Sequence, residues 1–464
     1  MRSTRYIIQL GVFALSLTAT MAQADFSEGI AAYEAGDYAA AYKHWQGPAE
    51  QGDIAAMYNL GLLLDNGLGV ETDKAEALRW YLEPAEEGNV FAQFSIATIY
   101  DYGDGVPEDD ARAVYWYTQA ARQADEQAQF NLGVMYSAGE GVPVDYEQSI
   151  YWYRKSADLG YSDAQYNLGY LYDLGVGVAE DNEAALQWYR RAAAANDPDA
   201  IYAIALMYDE GDGMPEDDAE AVSWYERAAA MGHAKAQFNL AIMHDRGESM
   251  PEDNERALHW YALAAEQGHP GAQVNLGVMY EYGEGTNVDL AAARHWYLRA
   301  AEEGSPSAQY ALALLYDAGK GVTEDNAIAA AWYLRAARQG DADAQNNLGA
   351  MFDAGEGVLE DDLEAMHWYR LAANQGNSVA QNNLGALYFA GTTAEPDLVE
   401  ALKWFLIAEA LGSSVGGQNK QTTALEMSEN QIATAERQAD EWLQGFRAGI
   451  DGDLSSGFAL AASP

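Results

Sequence analysis

Apolar residues recur along this chain at helical spacing, stop at a glycine, and start again. Residues 306–340 show the pattern. Ala308, Leu312, Leu315 and Tyr316 fall on one face of a helix that Pro306 suits at its first turn. Gly319 ends that helix, and "GKGVTED" carries no apolar periodicity. Asp325 has the chemistry of an N-cap, because its carboxylate accepts backbone N–H bonds and faces the positive end of the helix dipole. Ala329, Trp332, Tyr333, Ala336 and Ala337 form a second apolar stripe, closed by Gly340. The unit therefore predicts helix, loop, helix.

The unit repeats every 36 residues. Tryptophan stands at 80, 116, 152, 188, 224, 260, 296, 332, 368 and 404, each followed by Tyr or, at the last, Phe405. Trp45 and Trp442 flank the series and complete the twelve tryptophans. Glycine keeps the register of Gly319, from Gly67 to Gly391, and aspartate that of Asp325, from Asp73 to Asp397. Positions 61 to 385 in the same register are always Gly or Ala, so two helices must approach closely there. The position of Gly340 is Gly in eight of ten units; Asn196 tolerates the same left-handed turn and Ala124 is the exception. Such a period marks a repeat array, in which each unit packs mainly on its neighbours.

The ends depart from the pattern. Residues 25–52 replace the G-x-G loop with a short Gly36-Asp37 turn, and Pro48 and Pro84 are expected to interrupt the second helices of the first two units. Residues 413–447 read as a polar linker (413–421) and a capping helix opened by the capping box Ser428 to Gln431, with a flexible tail at 448–464.

The pattern A-Q-x-N-L-G-x-M-Y-x-x-G-x-G-V-x-x-D-x-x-x-A-x-x-W-Y-x-x-A-A-x-x-G resembles the Sel-1-like repeat, a relative of the tetratricopeptide repeat. Residues 128–160, "AQFNLGVMYSAGEGVPVDYEQSIYWYRKSADLG", differ mainly in Ser149 and Ser156, where Ala is expected. The resemblance spans residues 25–412, about eleven units. It implies an all-α fold, a right-handed α-solenoid superhelix of 36-residue helix-loop-helix repeats with a C-terminal capping helix. It also implies a monomeric, non-enzymatic scaffold that binds other proteins, often exported by bacteria.

Charge narrows the partners. Lys and Arg number 25 against 72 Asp and Glu, a formal net charge of −47. Such a surface repels nucleic acid and anionic lipid and favours basic polypeptides, although solubility in a salty environment would also account for it. There is no cysteine, which removes disulfides, thiolate metal sites and a Cys nucleophile. Residues 1–24 read as a signal peptide: Arg2 and Arg5, then an apolar run from Ile7 to Leu17 too short to span a bilayer, then Ala22-Gln23-Ala24. The expectation is cleavage after Ala24 and a periplasmic or secreted chain.

Motifs that suggest chemistry dissolve on inspection. Gly319-Lys-Gly321 lacks the spacing and the preceding strand of a phosphate loop and recurs too often for a nucleotide site. The acidic loops at 101–110 and 209–218 lack the alternating ligand pattern of a calcium loop. The G-x-S-x-G string at 412–416 follows a helix where a nucleophile elbow follows a strand. His44, His259, His295 and His367 each precede a repeat tryptophan and are expected at the surface, with no metal-ligand spacing. No cofactor, metal or catalytic residue is therefore expected.

One arrangement survives. On the first helix of each unit, positions i and i+7 share a face. The first is aromatic in seven units: Tyr58, Phe94, Phe130, Tyr166, Tyr202, Phe238 and Tyr310. The second is acidic in eight: Asp65, Asp101, Asp173, Asp209, Asp245, Glu281, Asp317 and Asp353. Acids near a helix C-terminus oppose the dipole, so local helix stability does not explain them. They belong to the general acidity, bond to a neighbouring unit, or bind. The resemblance places them on a concave face, which would make an acidic, aromatic-lined groove for a protein or peptide with a basic segment. Lys155, Arg191, Arg227, Arg299 and Arg335 ride on the second helices, away from it. The alternative is a polysaccharide- or cell-envelope-associated carbohydrate-binding factor or enzyme, since aromatic–acid pairs also suit sugars. Serial acids argue against a single catalytic pair.

Overall fold

The computed structural model describes residues 21–247, 250–392 and 395–457. They contain 24 α-helices and no strand. Residues 1–20 of the expected leader lie outside the described residues, and the first helix begins at Met21.

The chain divides into two compact units, 21–231 and 232–457 within the described range. The first holds α1 (Met21–Glu34), α2 (Tyr38–Glu50), α3 (Ile54–Asn66), α4 (Lys74–Glu86), α5 (Val90–Tyr102), α6 (Asp110–Arg122), α7 (Glu126–Ala138), α8 (Tyr146–Leu159), α9 (Ser162–Asp173), α10 (Asn182–Ala194), α11 (Pro198–Glu210) and α12 (Asp218–Ala230). The second holds α13 (Ala234–Arg246), α14 (Asn254–Glu266), α15 (Pro270–Tyr282), α16 (Leu290–Glu302), α17 (Pro306–Asp317), α18 (Asn326–Arg338), α19 (Ala342–Ala354), α20 (Asp362–Asn374), α21 (Ser378–Ala390), α22 (Leu398–Ala410), α23 (Ser414–Ala424) and α24 (Glu429–Gly457). Odd and even helices pair as hairpins, from α1 with α2 to α21 with α22, and within each unit every hairpin packs on the next.

The loop glycines are structural. Gly319 takes φ 62°, the left-handed turn that ends α17, and Gly321 takes φ 68°. A Cβ on Gly321 would stand 2.4 Å from Cβ of Leu290, so this glycine also lets the loop rest on the second helix of the preceding hairpin. Asp325 caps α18 by accepting a bond from the Ile328 backbone N at 3.0 Å. Ala124 adopts φ 65° despite its side chain, so the turn is imposed on it.

The core alternates small and large. Tyr81, Tyr117, Tyr189 and Tyr225 in the first unit, and Tyr261, Tyr297, Tyr333 and Tyr369 in the second, are buried. The Gly/Ala position of the first helix exists for them: a Cβ on Gly61 would stand 2.6 Å from the Tyr81 ring. Buried glutamines tie helices together. Gln93 Nε2 donates to the Ala85 carbonyl at 2.8 Å, and Gln123 Nε2 of the same hairpin donates to Gln93 Oε1 at 2.8 Å.

Three expectations change at the ends. Pro48 and Pro84 do not interrupt their helices; each sits in the last turn, where its missing N–H removes one bond and its ring is buried. The linker expected at 413–421 is helical instead: Ser413 Oγ caps α23, which runs from Ser414 to Ala424. Its two glycines permit close packing: Gly416 lies against Ala408, and Gly417 against Glu409. The capping box at Ser428 and Gln431 is present, and α24 runs to Gly457, past the expected boundary at 447. Residues 458–464 of the expected tail lie outside the described residues.

Candidate functional site: the acidic face of the first helices

Each of the eight acids on the first helices accepts a hydrogen bond from the tyrosine sixteen residues on, on the second helix of its own hairpin. In the first unit Tyr81 donates to Asp65 at 3.2 Å, Tyr117 to Asp101 at 3.0 Å, Tyr189 to Asp173 at 3.0 Å and Tyr225 to Asp209 at 2.9 Å. In the second unit Tyr261 donates to Asp245 at 3.2 Å, Tyr297 to Glu281 at 3.0 Å, Tyr333 to Asp317 at 3.1 Å and Tyr369 to Asp353 at 3.4 Å. The acids are half-buried except Asp353, which is exposed and makes the longest bond. An acid at an unfavourable helix end is thus explained: it satisfies a buried hydroxyl.

The aromatic position packs on the same tyrosine. Ring centroids lie 5.7 Å apart for Tyr58–Tyr81, 5.6 Å for Phe94–Tyr117, 5.7 Å for Phe130–Tyr153 and 5.7 Å for Tyr166–Tyr189. They lie 5.9 Å apart for Tyr202–Tyr225, 5.9 Å for Phe238–Tyr261 and 5.8 Å for Tyr310–Tyr333. Aromatic, tyrosine and acid therefore form one cluster in six hairpins; Phe130 has Ser137 in place of the acid, and Glu281 and Asp353 have Val274 and Asn346 in place of the aromatic. An asparagine of the following hairpin completes it in places: Asn275 donates to the Tyr261 hydroxyl at 3.0 Å and Asn347 to that of Tyr333 at 3.2 Å.

The tyrosine was missed as a partner, although the sequence carried the signal. Where position 405 is Phe and offers no hydroxyl, position 389 is Phe instead of an acid. Where position 137 is Ser, its hydroxyl donates to the Val134 carbonyl at 2.7 Å instead.

In the first unit these positions open into a groove of about 520 Å³. Five carboxylates line it: Asp101 and Glu140, then Asp163, Asp197 and Asp199. Phe130, Tyr153 and Tyr166 supply its rings, Asn131 and Asn167 its amides, and no basic residue lines it. Of the candidate residues, the groove brings together Asp101, Phe130 and Tyr166. The remainder pack on or hydrogen-bond the tyrosine of their own hairpins.

Crowding shows in the titration of these acids. Burial raises the Asp101 pKa, against the Tyr117 bond, with Glu140, Asp110 and Glu108 adding repulsion. Burial likewise raises Asp173 and Asp197. Burial pushes Tyr58 and Tyr166 up to about 12.

The basic residues of the second helices have structural work. Arg191 lies over Trp188 at 4.3 Å and donates to the Ala157 carbonyl of the preceding hairpin at 3.0 Å; Arg335 lies over Trp332 at 4.3 Å. His259, His295 and His367 are exposed and stand edge-on to their tryptophans. His44, expected at the surface, is half-buried with Nδ1 3.4 Å from Glu28 Oε2. With Asp25 these form the group whose ligand atoms come within 4.8 Å of one another, where a metal ion would find three donors. Glu28 of α1 and His44 of α2 thus meet across the first hairpin. No described helix is long and apolar enough to cross a membrane.

The repeat architecture has counterparts among known proteins. The Sel1 repeat matches ten consecutive segments, from 54–89 to 378–413. The chain is similar to c5321, a protective antigen of uropathogenic Escherichia coli with an SLR fold, at 32% identity and TM-score 0.73, covering 96% of this chain and 95% of that one. It is also similar to a Sel1 repeat protein from Oxalobacter formigenes, at 34% identity and TM-score 0.40, covering 81% of this chain and 98% of that one. Among curated proteins none matches. The ten matched segments are the hairpins from α3–α4 to α21–α22, and the chain belongs to the Sel1 repeat family.

Proposed function

We propose that this chain is an exported, non-enzymatic scaffold that holds a partner protein by an extended basic segment. Sel1 repeat proteins typically serve as protein-interaction scaffolds, which sets the class. The groove of the first unit carries the finer reading: five carboxylates over aromatic rings, with no base among its lining residues. An extended chain with Lys or Arg side chains complements such a surface in charge, while the rings offer apolar contact to its stems. The leader-like residues 1–24 support export, as does likeness to a protective antigen.

The test is capture with the immobilised chain from periplasmic and secreted fractions, followed by competition. A partner held by the groove is released by a lysine-rich peptide and by raised salt. Retention that ignores both would refute the groove.

A further inference from the structure

The repeats show what the free oxygen of the acid ladder can hold. Tyr81 occupies Oδ2 of Asp65, while Lys74 Nζ lies 2.7 Å from Oδ1 of the same carboxylate. That ammonium is also 3.3 Å from Asp104 Oδ2, in the G-x-G loop of the next hairpin. The second unit repeats the act from another direction: Tyr297 takes Glu281 Oε2, and Lys320 Nζ lies 3.3 Å from Oε1.

One repeat after Lys74 the same three positions are Asp101, Asp110 and Glu140. Tyr117 again takes Oδ2 of the ladder acid. Asp110 opens α6 as Lys74 opens α4, so a carboxylate has replaced the ammonium and the two flanking acids remain. Asp101 and Glu140 both line the groove. The position that Lys74 fills from within is thus left to a cation from outside.

We propose that Asp101 and Glu140, with Asp110 beside them, form a socket for the ammonium of a lysine on the extended partner. This deepens the groove reading and rests on it. An ammonium suits the socket because its three donors can span two carboxylates, as Lys74 does. Calcium suits it less, since one Asp101 oxygen already accepts from Tyr117 and six to eight oxygens are needed.

The experiment titrates tetralysine into the full chain at low ionic strength, in wild type, D110K, E147K and K74D. D110K supplies the internal lysine and leaves Asp101 and Glu140 in place. E147K makes the same charge change on an exposed position of α8. Tetralysine is expected to bind wild type and E147K alike, to lose about tenfold in affinity or more on D110K, and to gain a site on K74D. Equal binding to D110K and E147K overturns the socket; if D163N/D199N still weakens tetralysine, the groove stands without it. No binding to wild type overturns both. A calcium-dependent rise in the wild-type thermal midpoint that D110K abolishes, without tetralysine binding, overturns the lysine assignment in favour of a metal cation.

Discussion

Tyr189, buried, donates its hydroxyl proton to Asp173 at 3.0 Å from the facing helix of the same hairpin. Tyr189→Phe should leave Asp173 half-buried with one partner fewer. The expected loss is about 1–3 kcal/mol, measured by urea or thermal unfolding. Phe405→Tyr is the converse: it would place a hydroxyl opposite Phe389, which cannot accept, and should also destabilise. A double-mutant cycle of Tyr189→Phe with Asp173→Asn should show coupling near 1 kcal/mol. Additivity would mean that the bond carries no energy.

Ala124 holds a left-handed turn at φ 65° where eight of ten repeats use glycine. Ala124→Gly should raise stability by about 0.5–1 kcal/mol, the relief of the Cβ being partly offset by a looser unfolded chain. Gly340→Ala, at φ 98°, should move the midpoint the other way.

Gln129 Oε1 is buried without a hydrogen-bond partner in the protein. Its counterpart Gln93 accepts from Gln123, but the position of Gln123 is Leu159 in the next hairpin, 53% exposed. Leu159→Gln should supply the missing donor and stabilise by about 0.5–1.5 kcal/mol. An unchanged thermal midpoint would show that Gln129 is already satisfied.

Burial raises the folded-state pKa of Asp101, Asp125, Asp173 and Asp197. A raised carboxyl pKa means that stability from these groups is present below the unfolded value and is lost as pH rises through the folded one. The thermal midpoint should therefore rise as pH falls below neutral towards the ordinary carboxyl range, through the raised folded-state values. Added salt at pH 7 should act in the same direction by screening repulsion. A midpoint that falls steadily on this mild acidification would contradict the assignment.

Much of the hairpin array was legible because one residue type holds one position in every unit. Trp, the loop glycines and the capping aspartates mark helix ends locally, where dihedral preference and capping decide the outcome. The termini were less legible. Pro48 and Pro84 read as breakers, but a proline in the last turn loses little, and tertiary packing buries its ring. Gly416 and Gly417 read as linker, but they are glycines because α23 lies close against α22. The acid ladder was found, though not its partner: a sixteen-residue separation crosses a loop, and no helical period connects Asp173 to Tyr189. The groove itself depends on how side chains of successive hairpins meet, which spacing within one helix does not report.

If the groove binds, affinity for a basic peptide belongs to its carboxylates and not to acidity at large. The direct measurement is the affinity of tetralysine at low salt for D163N/D199N, in the groove, against E147Q/E183Q, exposed on the second helices. Both pairs remove two negative charges. About a tenfold loss or more is expected for the groove pair and little change for the other. Equal losses in the two pairs would contradict it.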